Sequence, residues 1–319
     1  MKKFFATVLS ALLICLTFGC GEGDAVQVYV PDGAPALAVA NLMKEKKAGG
    51  RAVEIHVVTP AVIRAKLTNG EADLAIAPTN LGAQLYQGGI DLKMVSANTY
   101  GLLYLVGKKT EQVESLADLK GKVVHVIGEG QTPDLVLRYV LAQAGIEVET
   151  SESAVADKVA IRYAADGTSL MQAFAAGRAT FGVLGEPAAT NAIGNEQAAV
   201  RELFDLQREF QAASGAATLG YPQASLFARG EFLENNAAFA DAFLEKMREN
   251  LDDLQEHPQE AADLLASEEY GGSRMKLTAA IVARMNLRVV PAANAKADVE
   301  AYLGMLNIPA PQDGFYRAA

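Results

Sequence analysis

The chain contains very little cysteine, and its only two cysteines, Cys15 and Cys20, lie within the first twenty residues. The remainder of the chain therefore has no thiol with which to form a disulfide, bind a metal or act as a nucleophile. The sequence also lacks a second long apolar run after Phe18. Beyond that residue, no segment is predicted to span a membrane.

Basic residues are also few. The chain has 28 Lys and Arg against 38 Asp and Glu, a net charge of −10, and the basic residues do not cluster. Because contacts to phosphate groups need Lys and Arg, this acidic composition excludes nucleic acid and anionic membrane surfaces as binding partners.

Catalytic motifs are scarce. His56, His125 and His257 are isolated and lack metal-ligand spacing, so we interpret them as structural. No Gly-x-Ser-x-Gly nucleophile motif occurs. Residues 128–130 read Gly-Glu-Gly, but Pro133 stands where a dinucleotide-binding loop needs its third glycine. We therefore predict no cofactor, no metal and no enzymatic activity.

The N-terminus is typical of an exported protein. Lys2 and Lys3 precede an uncharged apolar run over 4–18, and Gly19 precedes Cys20. The run is short for a membrane span and is typical of a signal peptide, and a cysteine at the cleavage point is suited to lipid attachment. We predict a signal peptide over 1–19, lipidation of Cys20 and an anchor linker over 20–25, on the extracytoplasmic side of a membrane. Ordinary secretion without lipid is the alternative.

Short apolar runs alternate with helical patterns from residue 26 onward. Such alternation predicts an α/β fold with parallel sheets covered on both faces. Residues 67–76 and 174–183 share one pattern, a helix end, a glycine and a strand, which favours two similar lobes. The strands are predicted at 26–30, 53–58, 74–77, 92–97, 102–106, 123–127, 158–163, 181–184 and 224–228.

The order of these elements predicts two lobes and a helical C-terminal part. Lobe 1 is expected to comprise 26–107 and 224–319, and lobe 2 to comprise 108–223. After the strand at 224–228, amphipathic spacing interrupted by proline and glycine predicts helices over 231–256, 258–267, 275–286 and 295–306.

Four junctions between strands and helices are candidates for a ligand site. In open parallel sheets, ligands bind beyond the carboxyl ends of the strands, where helix N-termini present free N–H groups. Each lobe contributes two junctions, so we expect a cleft between the lobes. Alternatively, proline and glycine only shape tight turns there. The junctions are residues 31–35, 77–80, 128–133 and 185–187.

Polar and aromatic side chains near these junctions are the candidate ligand-binding residues. Asp32 and Glu186 are suited to polar recognition, and with Glu129 they could instead form a general acid pair. Tyr100 and Tyr221 could stack on a planar ligand, with core packing as the alternative. The junctions contain no Lys or Arg, which weighs against a multiply charged anion as ligand. The full set is Asp32, Ala34, Pro35, Thr79, Asn80, Tyr100, Gly130, Gln131, Thr132 (predicted to be a helix N-cap), Glu186 and Tyr221.

Several segments resemble the solute-binding proteins of ABC importers. Residues 115–128 (SLADLKGKVVHVIG) and 171–177 (MQAFAAG), the latter leading to Gly-Glu-Pro at 185–187, are similar to one branch of these proteins. That branch includes the aliphatic-sulfonate, taurine, nitrate and thiamine-pyrimidine binding proteins. The resemblance extends over about 26–291 and includes Tyr-Pro at 221–222.

The resemblance implies a type II periplasmic-binding-protein fold with crossovers near 106–110 and 220–225. Ligand would bind between the lobes and close them, and the closed form would dock on a permease. The implied protein is a monomeric, lipid-anchored receptor of a small polar or heteroaromatic solute, with permease and ATPase subunits as partners. The missing basic residue argues against sulfonate and nitrate. The alternatives are an enzyme on the same bilobal fold and a ligand sensor for a membrane signalling protein.

Overall fold

The computed structural model describes residues 25–216, 220–270, 272 and 275–318. The predicted signal peptide, Cys20 and most of the anchor linker lie outside the described residues. No helix in the described ranges is long and apolar enough to cross a membrane.

The first sheet has seven strands. They are β1 (Val26–Val30), β2 (Lys47–Ala48), β3 (Arg51–Val57), β4 (Leu74–Pro78), β5 (Leu92–Thr99), β12 (Ala224–Arg229) and β13 (Leu287–Pro291). Their order in the sheet is β13-β5-β12-β4-β1-β3-β2. The central strands β1, β3 and β4 run parallel, while β12 and β13 run antiparallel to their neighbours. β1 and β4 are almost wholly buried, as expected of parallel strands covered on both faces.

The second sheet has six strands. They are β6 (Leu103–Lys108), β7 (Val123–Ile127), β8 (Val148–Thr150), β9 (Val159–Ala164), β10 (Phe181–Gly185) and β11 (Val200–Asp205). Their order in the sheet is β11-β6-β10-β7-β9-β8. β7, β8, β9 and β10 run parallel, and β6 is antiparallel to both β10 and β11.

Helices cover both faces of each sheet, which confirms the predicted α/β architecture. One face of the first sheet packs on α1 (Ala34–Leu37), α2 (Ala40–Glu45), α9 (Gly230–Asn235), α10 (Ala237–Glu256), α11 (Pro258–Leu265) and α12 (Ala279–Arg284), and the other on α3 (Pro60–Thr68), α4 (Thr79–Gln87) and α13 (Ala292–Met305). The second sheet packs on α5 (Thr132–Gln143) and α8 (Leu206–Ser214) on one face, and on α6 (Gly167–Ala175) and α7 (Ala188–Gly194) on the other. Short 3₁₀ helices span Leu116–Leu119, Glu268–Tyr270 and Asp313–Phe315. We call each sheet with its helices the first and the second lobe.

The chain first changes sheet earlier than the expected crossover at 106–110. β5 ends in the first sheet at Thr99, and β6 begins in the second sheet at Leu103. The apolar run of β6 pairs on both sides with second-sheet strands, which is why it is buried there. The chain returns to the first sheet between Gly215 and Ala224.

Local differences also occur at helix ends. Thr132 is the first residue of α5 and Gln131 is its N-cap, so the predicted cap is displaced by one residue. The predicted helix 231–256 is two helices, α9 and α10, which meet at Asn236. Strand β13 was not predicted, because its short run follows a helix and ends at Pro291.

Candidate functional site

Strand directions bring one edge of each sheet together. In the first lobe β1, β4 and β5 end at this edge, and the antiparallel strands β12 and β13 begin there. In the second lobe β7, β10 and β11 end at the corresponding edge, where β6 begins. Because only residues 100–102 separate β5 from β6, the two edges lie next to each other across a cleft. All four predicted junctions lie at these edges.

The loop after β1 presents one polar side chain. Asp32 is exposed, and its Oδ1 accepts a hydrogen bond from the Gly33 N–H at 2.7 Å. Gly33 has a φ of 87°, a conformation that favours glycine. Ala34 is buried in the core, and Pro35 is half-buried in the first turn of α1. Of the three predicted residues in this loop, Asp32 is therefore the one whose side chain can contact a ligand.

Thr79 and Asn80 differ in their surroundings after β4. Thr79 is fully buried, and its Oγ1 lies 2.7 Å from Ser225 Oγ on β12. Its backbone N–H donates to the Gln223 carbonyl at 3.0 Å. The structure thus uses Thr79 to join two strands, contrary to its predicted ligand role. Asn80 is half-buried and makes no side-chain hydrogen bond with any described residue.

Tyr221 is a packing residue and does not offer a free ring face. Its fully buried ring stacks on Tyr302 with centroids 5.6 Å apart, and Phe210 contacts its edge at 5.1 Å. A Cβ atom added at Gly101 would lie 2.6 Å from the ring, so this glycine lies directly against it. The predicted stacking role is therefore wrong for Tyr221. The sequence did not show this, because the residues that cover the ring come from distant segments.

Tyr100 is fully buried but retains an unused polar group. The Arg288 guanidinium lies 4.9 Å from the ring centroid, and the hydroxyl has no hydrogen-bond partner. Burial is the main cause that raises the pKa of Tyr100. The hydroxyl therefore stays protonated at neutral pH and can donate a hydrogen bond.

The loop after β7 is largely satisfied by its own chain. The Gly130 N–H donates to Asp134 Oδ2 at 2.9 Å and is therefore already occupied. Gln131 is exposed, and its side chain lies against Gly128. Burial raises the pKa of Tyr302 to about 12, an effect opposed by its hydrogen bond to Thr132. Thr132 thus already has a partner from α13.

Glu186 lies at the end of β10, where the sequence placed it, but it is already paired. Its carboxylate is fully buried and accepts hydrogen bonds from the Thr190 N–H at 3.2 Å and the Thr190 hydroxyl at 2.9 Å. It also forms an ion pair with Arg284 at the end of α12. A carboxylate neutralised in this way is a poor candidate for a general acid or for binding a cationic ligand.

Arg284 reaches from the first lobe to three residues of the second. Besides Glu186, its Nη1 donates to Glu202 Oε2 at 2.7 Å, and its guanidinium lies 3.7 Å from the Tyr104 ring centroid. The Tyr104 hydroxyl donates to the Arg284 carbonyl at 3.0 Å. Burial lowers the pKa of Arg284, but hydrogen bonds to both glutamates and the nearby charge of Glu186 together outweigh burial and raise it. We call Arg284, Glu186, Glu202 and Tyr104 the interlobe clasp.

Arg288 brings a second cation to the cleft. It is half-buried, and its Nη2 donates to Asn286 Oδ1 at 2.6 Å. No carboxylate of the described residues lies within ion-pair distance of it. The basic residues that the junctions lack are therefore supplied by the C-terminal segment. Sequence reasoning missed Arg284 and Arg288 because no local motif marks them.

Buried polar atoms without partners concentrate at the facing edges. Eight such side-chain atoms occur in the described part of the chain, and four belong to residues at or beside the connections between the sheets. Such atoms are rare in native proteins and call for a specific explanation. The four are Thr99 Oγ1, Tyr100 Oη, Gln223 Oε1 and Arg284 Nη2. Among the described residues, no group of three His, Cys, Asp or Glu could hold a metal ion.

Comparisons with known proteins agree with this architecture. The family model described as NMT1/THI5-like matches residues 50–261. An ABC transporter protein from Parabacteroides distasonis is 24% identical, with 92% of this chain and 99% of that chain covered and a TM-score of 0.73. The periplasmic aliphatic sulphonate binding protein SsuA from Escherichia coli is 17% identical, with 92% of each chain covered and a TM-score of 0.64.

A third similar structure is the alkanesulfonate-binding protein SsuA from Xanthomonas axonopodis pv. citri bound to MOPS. It is 15% identical, with 92% of this chain and 98% of that chain covered and a TM-score of 0.57. No curated protein sequence matches the chain. These likenesses confirm the predicted resemblance and the periplasmic-binding-protein fold.

Proposed function

The chain belongs to the NMT1/THI5-like family, and on that premise we propose that it is a solute-binding receptor of an ABC importer. The observation that carries the proposal is the set of four unpartnered buried polar atoms at the facing edges of the two sheets. A solute bound there would supply their hydrogen bonds at the point where the two lobes meet. Similarity in fold to an ABC transporter protein supports this assignment.

The unpartnered atoms also suggest which solute fits. Tyr100 and Arg284 offer donors, and Gln223 offers an acceptor. A small polar or heteroaromatic solute, such as a pyrimidine, carries acceptors and N–H groups close together and suits this mixture. Arg288, which has no carboxylate partner among the described residues, favours acceptor oxygens on the solute. Sulfonates, which two similar proteins are named for binding, are therefore the second class to test.

We expect binding to close the lobes about the segments that connect the two sheets. The interlobe clasp lies beside these segments, since Glu186 directly follows β10 and Tyr104 is the second residue of β6. It would hold this side of the cleft while the opposite side, at β3 and β9, closes on the solute. The closed receptor would then dock on the permease of the importer, whose ATPase drives transport.

A solute panel and a matched pair of tyrosine variants test the proposal. Pyrimidines, flavins, amines and sulfonates are screened by thermal shift, because a solute that binds only the folded state raises the melting temperature. Native mass spectrometry of the freshly purified protein would identify a solute that remains bound. A recovered solute that is chemically unchanged supports a receptor, whereas turnover supports an enzyme.

Tyr100→Phe removes one unpartnered hydroxyl at the cleft, and Tyr316→Phe removes another in the first lobe. We expect the Tyr100 variant to bind the identified solute about tenfold more weakly, because one hydrogen bond is lost. The Tyr316 variant should bind it normally. No binding across the panel, or an equal loss in both variants, would contradict the proposed site.

We also propose that lipid on Cys20 holds the receptor at the extracytoplasmic membrane surface as a monomer. An anchor would keep the receptor near its permease, and stable anchoring needs more than one acyl chain. The test is cell fractionation of wild type and Cys20→Ser. Release of the variant, with processing otherwise unchanged, supports lipidation, while an equal distribution of both proteins favours ordinary secretion.

A further inference from the structure

A groove on the second lobe has no part in the proposed solute site. It consists of two adjoining cavities of about 590 and 340 Å³. Both are lined by the same three cationic or titratable side chains: His125, Arg162 and Arg178. The groove borders α6, which covers only part of this sheet face.

Strand pairing explains why these groups share one face. His125 on β7 is paired with Arg162 on the parallel neighbour β9, so their side chains project from the same side of the sheet. Val124 and Val126 belong to the core on the opposite face. Arg178 follows α6 directly, after a turn at Gly177 with a φ of 69°. Three segments that are distant in sequence thus bring two guanidinium groups and an imidazole to one groove.

The charge of the groove differs from that of the whole chain. The chain has 38 acidic against 28 basic residues, yet the larger cavity is lined by two arginines and no carboxylate. The smaller cavity adds Lys122 and Glu111, which pair with each other, and Glu152. The Arg178 side chain is exposed and makes no hydrogen bond or ion pair with any described residue. Arg162 pairs with Glu152 at 2.8 Å, but both side chains are well exposed, and such pairs exchange readily.

His125 provides the buried polar group of the groove. Its residue is 7% exposed, and Nδ1 lies 3.3 Å from the Phe181 carbonyl oxygen. Since a carbonyl only accepts, Nδ1 carries the proton and Nε2 is left as an acceptor. Nε2 has no partner among the described residues. The groove therefore offers two forked cationic donors and one acceptor.

We propose that this groove is a second binding site, separate from the cleft, for a phosphate group, either free or carried by a small organic molecule. The two guanidinium groups of Arg162 and Arg178 would bind the phosphate oxygens, since planar guanidinium suits bidentate contacts to phosphate. His125 Nε2 would accept a hydrogen bond from a phosphate that keeps one proton. The larger cavity has room for an organic substituent beside the phosphate.

Isothermal titration calorimetry at pH 6.5 and constant ionic strength tests the proposal, with inorganic phosphate, glycerol 3-phosphate and sulfate as probes. We expect saturable binding of phosphate or glycerol 3-phosphate, and the tighter of the two identifies the source of the group. Arg178→Gln should lower the affinity at least tenfold, and it should fold normally because the side chain is exposed and unpaired. Sulfate, which carries no proton, should bind more weakly than phosphate.

Two control variants make the result specific. Arg64→Gln removes an exposed arginine of the first lobe and should leave phosphate binding unchanged. Tyr100→Phe, the cleft variant, should also leave phosphate binding unchanged. Failure of the cleft proposal can therefore be told apart from failure of the phosphate-site proposal. The proposal is overturned if wild type shows no saturable binding, or if Arg178→Gln and Arg64→Gln have equal effects. Sulfate binding as tight as that of phosphate would overturn the role of His125.

Discussion

The interlobe clasp should contribute measurably to stability, because one of its carboxylates is fully buried. The Glu186 side chain is 0% exposed, whereas those of Arg284 and Glu202 are 27% and 35% exposed. Arg284→Met keeps the length and the apolar contact of the side chain but leaves Glu186 with only the Thr190 donors. Removing one partner of a buried ion pair costs about 3–5 kcal/mol. We expect a loss of about 3 kcal/mol, because Arg284 retains some contact with water.

The two glutamates provide a matched comparison within the same clasp. Glu186→Gln and Glu202→Gln each remove one charge from the same guanidinium with little change of shape. A double-mutant cycle with Arg284→Met should give a coupling free energy of about 2 kcal/mol for Glu186. For Glu202, which is more exposed, the coupling should be about 0.5 kcal/mol. The difference between the two couplings measures how much more strongly the buried carboxylate is coupled to the guanidinium than the exposed one.

Urea unfolding followed by circular dichroism measures these free energies for wild type, the three single variants and the two double variants. Unfolding slopes that stay constant would show that the substitutions act on the native contacts. The reasoning would be refuted if Arg284→Met lost less than about 1 kcal/mol, a value typical of exposed pairs. Equal couplings for Glu186 and Glu202 would refute it as well.

Two further predictions concern packing and pH. Gly82→Ala should destabilise the protein by about 1–3 kcal/mol, since the new Cβ would lie 2.1 Å from the buried Phe227 ring. Gly304→Ala, also helical but with open space around it, should stabilise by up to about 1 kcal/mol in the same urea assay. Burial lowers the pKa of His125 below its ordinary value of about 6.5. The unfolded chain therefore gains a proton first as pH falls, so stability should decline below about pH 6.5. His125→Asn should lose less stability than wild type between pH 7.5 and 5.5, and identical losses would contradict this.

Much of the fold was predictable because its signals are local. The apolar runs at 26–30, 74–77 and 181–184 correspond to strands β1, β4 and β10. Gly70 and Gly177, which the repeated pattern placed after helix ends, have φ values of 72° and 69°. An L-residue with a side chain rarely adopts this conformation, so glycine at such a position is a reliable local signal.

The candidate site was predicted only in part. The sequence identified the junctions correctly, because parallel strands end at one sheet edge whatever their partners are. It could not identify which of the candidate side chains are already occupied. Thr79 is joined to Ser225, and Tyr221 is covered by Tyr302, in each case a residue far along the chain. The crossover was misplaced for the same reason, since strand β6 joins strands that follow it much later.

By itself, the sequence determined most of the strands and helices, the turn glycines and the sheet edge at which the junctions lie. These features depend on the spacing of apolar residues and on backbone conformation over a few positions. Only the tertiary structure decided the chemistry at that edge. Glu186 is not a free carboxylate, because Arg284, 98 residues away in sequence, forms an ion pair with it from the other lobe. A charge pair depends on distance in space, and no local pattern encodes that distance.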